Sequence, residues 1–248
     1  MQILRASIRM ILFVFATLGL YGLWFVARLF IPNKTLWRQT IFWWWTRSFG
    51  WIANMRVEVV GEPPRPPFFL VTNHLGYADI AALRIAVPAV FVAKSDIEFW
   101  PLAGRIVRDM GMIFIDRQNR RDIPRAGELI LERLDNGEGV IVFPEGTSTR
   151  GDEVLPFNSS FLHFAAEGEL PVSYAAIRFE TTAGSVPAST AIAWHGEISF
   201  FSHVYRMFKQ RGFVATITFG DQPLKNPDRK ALARELQARV ADLFVPLQ

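Results

Sequence analysis

Phe68-Phe69-Leu70-Val71-Thr72-Asn73-His74-Leu75-Gly76-Tyr77-Ala78-Asp79 is the stretch on which the fold turns. Its opening run is continuous and apolar, as in a strand buried on both faces. Thr72-Asn73-His74 breaks that run with polar groups, and a helical pattern follows over 80–87. The same alternation extends along the chain. Short apolar runs predict further strands at 57–60, 90–93, 112–115, 140–143, 172–177, 190–194 and 214–219. Helical patterns lie over 101–110, 123–136, 161–167 and 228–244. Strands alternating with helices predict an α/β fold, a mostly parallel central sheet flanked by helices. Gly61-Glu62-Pro63-Pro64-Arg65-Pro66-Pro67 cannot be helical and reads as a stiff linker.

In such a sheet, function sits in the loops beyond the carboxyl ends of the strands. Three polar clusters fall there: Thr72-Asn73-His74, Asp116-Arg117 and Pro144-Glu145-Gly146-Thr147. A carboxylate close to a histidine fixes the imidazole tautomer and stabilises the imidazolium, so His74 and Asp79 are a candidate general-base pair. Gly76 helps the loop bend back far enough for them to meet. The alternative is that Asp79 only caps the helix beginning at Ile80. One His and one Asp lack a third ligand nearby, so no metal is expected. No Gly-x-Ser-x-Gly elbow is present, which counts against a hydrolase triad. Phe143-Pro144-Glu145-Gly146-Thr147 is a tight polar turn without the phosphate-loop lysine, hence not a nucleotide site. With no cysteine in 248 residues, a disulfide scaffold, a thiol nucleophile and a Cys-ligated metal are excluded.

Together and in this order, the two segments resemble the glycerolipid acyltransferases, the lysophosphatidate acyltransferase-like superfamily. That family pairs an Asn-His-x-x-x-x-Asp block with a later Phe-Pro-Glu-Gly-Thr block, here Asn73 to Asp79 and Phe143 to Thr147. An intervening block is recognisable in Ala93-Lys94, Pro101, Gly104, Gly111 and Phe114-Ile115-Asp116-Arg117. Leu170-Pro171-Val172 corresponds to a fourth, and Trp194-His195-Gly196-Glu197 is similar to the family's later region. The resemblance covers roughly residues 57–179. It implies transfer of a fatty acyl group from an acyl thioester, either acyl-CoA or acyl carrier protein, to the free hydroxyl of a lysolipid, with no cofactor. It makes His74 the base and Asp79 its orienting partner. It assigns Glu145, Gly146 and Thr147 to acceptor binding and the transition state. Lys94 and Arg117 are the candidates for gripping a phosphate, because cations offer charge-assisted hydrogen bonds. Arg150 is a further phosphate candidate.

The first-choice acceptor is 1-acyl-sn-glycerol-3-phosphate, giving phosphatidic acid in glycerophospholipid biosynthesis. Departures weaken that choice. Many phosphatidate-forming members follow the Thr with Arg, where this chain has Ser148, and Asn158 and Ser160 replace the usual basic residue and glycine. Lyso-ornithine lipid or another lysophospholipid therefore stays open, since that branch looks similar over Gly146-Thr147-Ser148 and Trp194-His195-Gly196. A non-catalytic membrane-binding protein on the same fold is the rival from another class, and intact His74, Asp79, Glu145 and Gly146 speak against it.

The charge of +4 is unevenly distributed. From Met1 to Val57 there is no acid, seven basic residues and six of the eight tryptophans, leaving 20 basic against 23 acidic residues beyond. Arg and Trp without acid suit an anionic lipid interface, and nucleic acid is not expected as a partner. Residues 10–27 form an uncharged run at the lower limit for crossing a bilayer. Residues 35–55 read as a helix lying in the interface plane, with Trp37, Ile41, Trp44, Trp45 and Ile52 on one face and Arg38, Gln39, Thr46 and Arg47 on another. The expected organisation is a two-helix hydrophobic and amphipathic membrane anchor over 1–56 and a catalytic domain over 57–248. The expected location is the bacterial inner membrane with the catalytic domain on the cytoplasmic face.

Overall fold

The computed structural model describes residues 1–116, 119 and 122–248, and pairs the apolar runs into one seven-stranded sheet. The strands are β1 (Met55–Val60), β2 (Phe68–Thr72), β3 (Ala89–Lys94), β4 (Ile113–Ile115), β5 (Gly139–Val142), β6 (Val172–Thr181) and β7 (Phe213–Phe219). Their order is β1-β7-β6-β2-β5-β3-β4. From β6 to β4 every pairing is parallel, whereas β7 runs antiparallel to β6 and carries β1 parallel to itself. All five residues of β2 are buried. Successive side chains of a strand point to opposite faces. Phe68 and Leu70 therefore join one core layer, and Phe69 and Val71 the other.

The helices are α1 (Gln2–Ala27), α2 (Lys34–Ala53), α3 (Tyr77–Ala86), α4 (Ala103–Asp109), α5 (Asp122–Asp135), α6 (His163–Glu167), α7 (Ala188–Ala191), α8 (Phe200–Phe208) and α9 (Arg229–Leu243). Residues of α5, α6 and α9 fill one core layer, and residues of α2, α3 and α8 the other. One strand expectation needs correction. Residues 190–194 are not a strand: the amides of Thr190 and Ala191 bond to Pro187 O, closing the helical turn of α7. His163 opens α6 with its side chain 43% exposed beside Glu167.

The larger correction concerns α2. It is more than an interfacial helix, because Ile41, Phe42, Phe49 and Ile52 are buried against the α/β body. Two residues read as its polar face, Arg38 and Thr46, are buried as well. Arg38 donates to Met110 O and, from Nη2, to both carboxylate oxygens of Glu138 at 2.8 Å. A helix that mixes Arg and Trp reads as amphipathic, but here the cation faces inward because a carboxylate 100 residues away meets it. The outward residues are Trp43, Trp44, Arg47 and Trp51.

α1 is long and apolar enough to cross a membrane. It nevertheless lies against the body along most of its length. Arg9 donates to the carbonyls of Phe208, Gln210 and Arg211, satisfying one orphan acceptor at the end of α8 and two in the turn that follows it. Trp45 donates to Thr17, and Tyr21 to Asp109 at 2.7 Å.

Candidate active site

The site follows from the neighbourhood of β2 and β5, whose carboxyl ends deliver His74 and Glu145 to the same edge of the sheet. Asn73 anchors this edge. Its side chain donates to Ile177 O at 2.9 Å and accepts from Ile177 N at 2.8 Å, imitating a ladder pair where β2 has ended. His74 is therefore launched from a fixed point.

The loop then reverses into α3. At Gly76, φ is +151° and ψ −169°, a region essentially reserved for glycine. A Cβ there would also lie 3.0 Å from Cβ of Trp194. The reversal brings Asp79 Oδ2 to 2.7 Å from His74 Nδ1. The same oxygen accepts from Leu75 N at 2.7 Å and Gly76 N at 3.0 Å. The helix begins at Tyr77 rather than Ile80, so Asp79 lies within its first turn, where it accepts from the N-cap amide of Gly76 and at the same time holds the histidine. Because Oδ2 is the acceptor of two amides, Nδ1–H is a third donor, and Nε2 is left with the lone pair. Asp79 is fully buried, while the His74 side chain keeps 22% of its surface open.

The second block meets the first through three contacts. Phe143 stacks on the imidazole, with ring centroids 4.1 Å apart and an interplanar angle of 20°. Glu145 Oε1 accepts from His74 N at 3.0 Å. Thr149 N donates to His74 O at 2.9 Å. Burial pushes the Glu145 carboxyl up to about 8, against the opposing backbone amides of His74 and Leu155. Glu145 therefore holds its proton at neutral pH and presents a hydrogen-bonding acid rather than a charge. Gly146 turns beside it at φ +75°, and Thr147 is exposed at the rim.

Sequence reasoning attached little to 194–203, yet this segment forms a wall of the site. Trp194 N donates to Leu75 O at 2.7 Å, and Ser148 Oγ donates to Trp194 O. Tyr77 packs among Trp194, Phe200 and His203. Its hydroxyl lies 2.8 Å from Nδ1 of the fully buried His203, whose Nε2 is 3.0 Å from Ala193 O. Burial pushes His203 down to about 4 and the Tyr77 phenol up, so both are neutral and Tyr77 donates to His203. The signals for this segment were the resemblance over Trp194-His195-Gly196-Glu197 and the aromatic run 200–205, and neither tells which distant residues they meet.

The candidate phosphate ligands are not drawn into this cluster. Lys94 ends β3 and pairs with Asp96, and Arg150 is 59% exposed near Asp152. Neither shares a hydrogen bond with His74, Asp79 or Glu145 among the described residues. Arg117 lies outside the described residues. No group of three or more potential metal ligands occurs among the described residues.

Comparison with known proteins follows the same lines. A family model described as Acyltransferase matches residues 56–178, the span from β1 into β6. The lyso-ornithine lipid O-acyltransferase of Pseudomonas aeruginosa is 31% identical over 97% of this chain and 92% of that protein. The 1-acyl-sn-glycerol-3-phosphate acyltransferase of Neisseria gonorrhoeae is 29% identical over 73% of this chain and 72% of that protein. The crystal structure of the 1-acyl-sn-glycerophosphate acyltransferase PlsC from Thermotoga maritima shares the fold, with a TM-score of 0.68 over 98% of both chains at 20% identity. With its two motif blocks joined around one histidine and relatives aligned along nearly its whole length, the chain belongs to the glycerolipid acyltransferase superfamily.

Proposed function

We propose that the protein transfers a fatty acyl group from an acyl thioester to the free hydroxyl of a membrane lysolipid, and that its acceptor is a lyso-aminolipid such as lyso-ornithine lipid. The observation that carries the chemistry is the His74–Asp79 pair, which leaves Nε2 open as a base. Nε2 takes the proton of the acceptor hydroxyl as its oxygen attacks the thioester carbonyl. The C–S bond then breaks, the new ester C–O bond remains, and the imidazolium returns its proton to the leaving thiolate. A base so positioned contributes roughly 10²- to 10⁴-fold in rate. The acyl donor is acyl-CoA or acyl carrier protein.

The choice of acceptor rests on Ser148. Where phosphatidate-forming members carry Arg, its hydroxyl is engaged by Trp194 O, and the nearby Lys94 and Arg150 face acidic neighbours at the surface. Among the described residues no lysine or arginine is hydrogen-bonded or ion-paired to His74, Asp79 or Glu145, where it would be set to receive a phosphate monoester. The greater coverage by lyso-ornithine lipid acyltransferases agrees with this. Lysophosphatidate is the second reading, favoured by the relatives named for it.

The acceptor reaches the site from the membrane. The open flanks of α1 and α2 and the turn between them carry Phe15, Phe25, Phe30, Trp44 and Trp51, an apolar and aromatic surface suited to lipid. Because α1 is bonded to the body from Ser7 to Tyr21, we favour insertion along one leaflet over an upright span. The inner membrane, with the site on its cytoplasmic face, fits a donor made in the cytosol.

Purified protein offered lyso-ornithine lipid and lysophosphatidate side by side with labelled acyl thioester tests this reading. Preference for lyso-ornithine lipid is expected, and loss of about 10²- to 10⁴-fold in His74→Ala. Preference for lysophosphatidate would overturn the acceptor, and wild-type turnover by His74→Ala the mechanism.

A further inference from the structure

The turn from α1 into α2 carries a second feature that catalysis does not use. A cavity of about 390 Å³ is lined there by Trp24, Arg28, Lys34, Thr35, Arg38 and Arg133. It adjoins the amino ends of the parallel strands, since Arg38 bonds to Met110 O before β4 and to Glu138 before β5. His74 follows the carboxyl end of β2, so the cavity and the catalytic site belong to opposite edges of the sheet.

The four cations of this cavity are not balanced. Glu138 serves Arg38 at 2.8 Å and Arg133 at 3.8 Å. Arg28 and Lys34 have no ion-pair partner among the described residues. Arg28 is instead held over the rings of Trp24 and Phe25, at 4.7 and 4.3 Å from their centroids. Arg133 Nε is buried without a hydrogen-bond partner. Lys34 and Thr35 also open a 20-residue helix with no acid in its first turn, where the helix dipole adds further positive potential. These groups together call for a phosphate.

The surroundings indicate its source. Leu29 also lines the cavity and is 73% exposed, and the exposed apolar Val26, Phe30 and Leu36 lie within a few residues of its lining in the chain. A dissolved phosphate has no use for such surroundings, whereas a phospholipid places its phosphate directly above acyl chains. We propose that this cavity binds the phosphate of an anionic bilayer phospholipid, at a site separate from the acceptor site.

Vesicle co-sedimentation of the full chain tests the proposal. Phosphatidylcholine vesicles are compared with vesicles containing about 30% phosphatidylglycerol at about 0.1 M salt, where surface charge is still felt. Tighter binding to the anionic vesicles is expected. The double variant Arg28→Gln, Lys34→Gln should lose about fivefold per charge, roughly twentyfold together, on anionic vesicles only. The charge-preserving pair Arg28→Lys, Lys34→Arg should keep the preference, which separates loss of charge from misfolding. A control at exposed α9 positions, Arg234→Gln with Arg239→Gln, should also keep it. Equal losses in the control and the cavity variant would mean a nonspecific net-charge effect and overturn the site. Inorganic phosphate at matched ionic strength should not displace the protein. Displacement by it, or cavity-dependent binding of acyl carrier protein without vesicles, would overturn the lipid assignment.

Discussion

Asp79→Asn is the substitution that most directly separates the two roles of this carboxylate. In the wild type, Oδ2 receives His74 Nδ1–H and the amides of Leu75 and Gly76, while Oδ1 is buried without a partner. An asparagine is isosteric but must place an NH₂ group on one side. If its oxygen keeps the three donors, the NH₂ occupies the unpartnered Oδ1 position, leaving a buried donor unsatisfied at about 1–3 kcal/mol. If the NH₂ turns toward His74, it donates to Nδ1, the proton moves to Nε2, and the base is lost. Either outcome weakens the loop and removes the carboxylate charge that stabilises the imidazolium formed in the reaction. The second also removes the base itself, so both draw on the roughly 10²- to 10⁴-fold that general-base catalysis supplies. The expected result is a kcat lower by at least about 10²-fold with little change in KM, and an unfolding free energy lower by about 1–3 kcal/mol. Initial rates at saturating acceptor, with thermal unfolding of the same preparation, measure both. A folded Asp79→Asn protein turning over within about threefold of wild type would leave Asp79 as a helix cap only, and the orientation argument would fail.

Other expectations follow from the same contacts. Burial raises the Glu145 carboxyl to about 8. Between its unfolded value near 4.5 and that pH, the unfolded chain has released a proton that the folded one retains, so stability falls as pH rises through this window. Glu145→Gln removes this penalty, and should be more stable than wild type by about 2–4 kcal/mol at pH 8 but about equal near pH 4.5 in thermal unfolding. Arg38→Ala leaves the buried Glu138 with only Gln39 and the more distant Arg133 and should cost up to about 3–5 kcal/mol, whereas Arg38→Met with Glu138→Leu should be nearly neutral. Denaturant titration of the three proteins checks this, and equal losses in single and double variants would contradict it.

The candidate site was partly legible because its chemistry is compressed into short spans. Asn73, His74 and Asp79 lie within one loop, and Phe143 to Thr147 within another, so local order carries their identity. What spacing left open was whether Asp79 reaches His74 or caps α3. One carboxylate oxygen does both, which only three-dimensional geometry reveals. The wall made by Trp194, Tyr77 and His203 was hidden for another reason. Its contacts run between backbone groups and rings more than 100 residues apart, and hydrophobic periodicity records burial but not partner.

Sequence alone determined the α/β class, because a strand buried on both faces must be continuously apolar while its covering helices repeat every 3.6 residues. It also determined the acid-free, Trp-rich character of the first 57 residues and singled out His74 as the candidate base. The tertiary structure decided how these parts meet. Pairing β2 beside β5 brings His74 and Glu145 to one edge, a relation no local pattern encodes. The same is true of α2, whose Arg38 reads as a surface cation until Glu138 is found opposite it. A buried charge is tolerated only with its partner present, and partnership across 100 residues is a property of the folded chain.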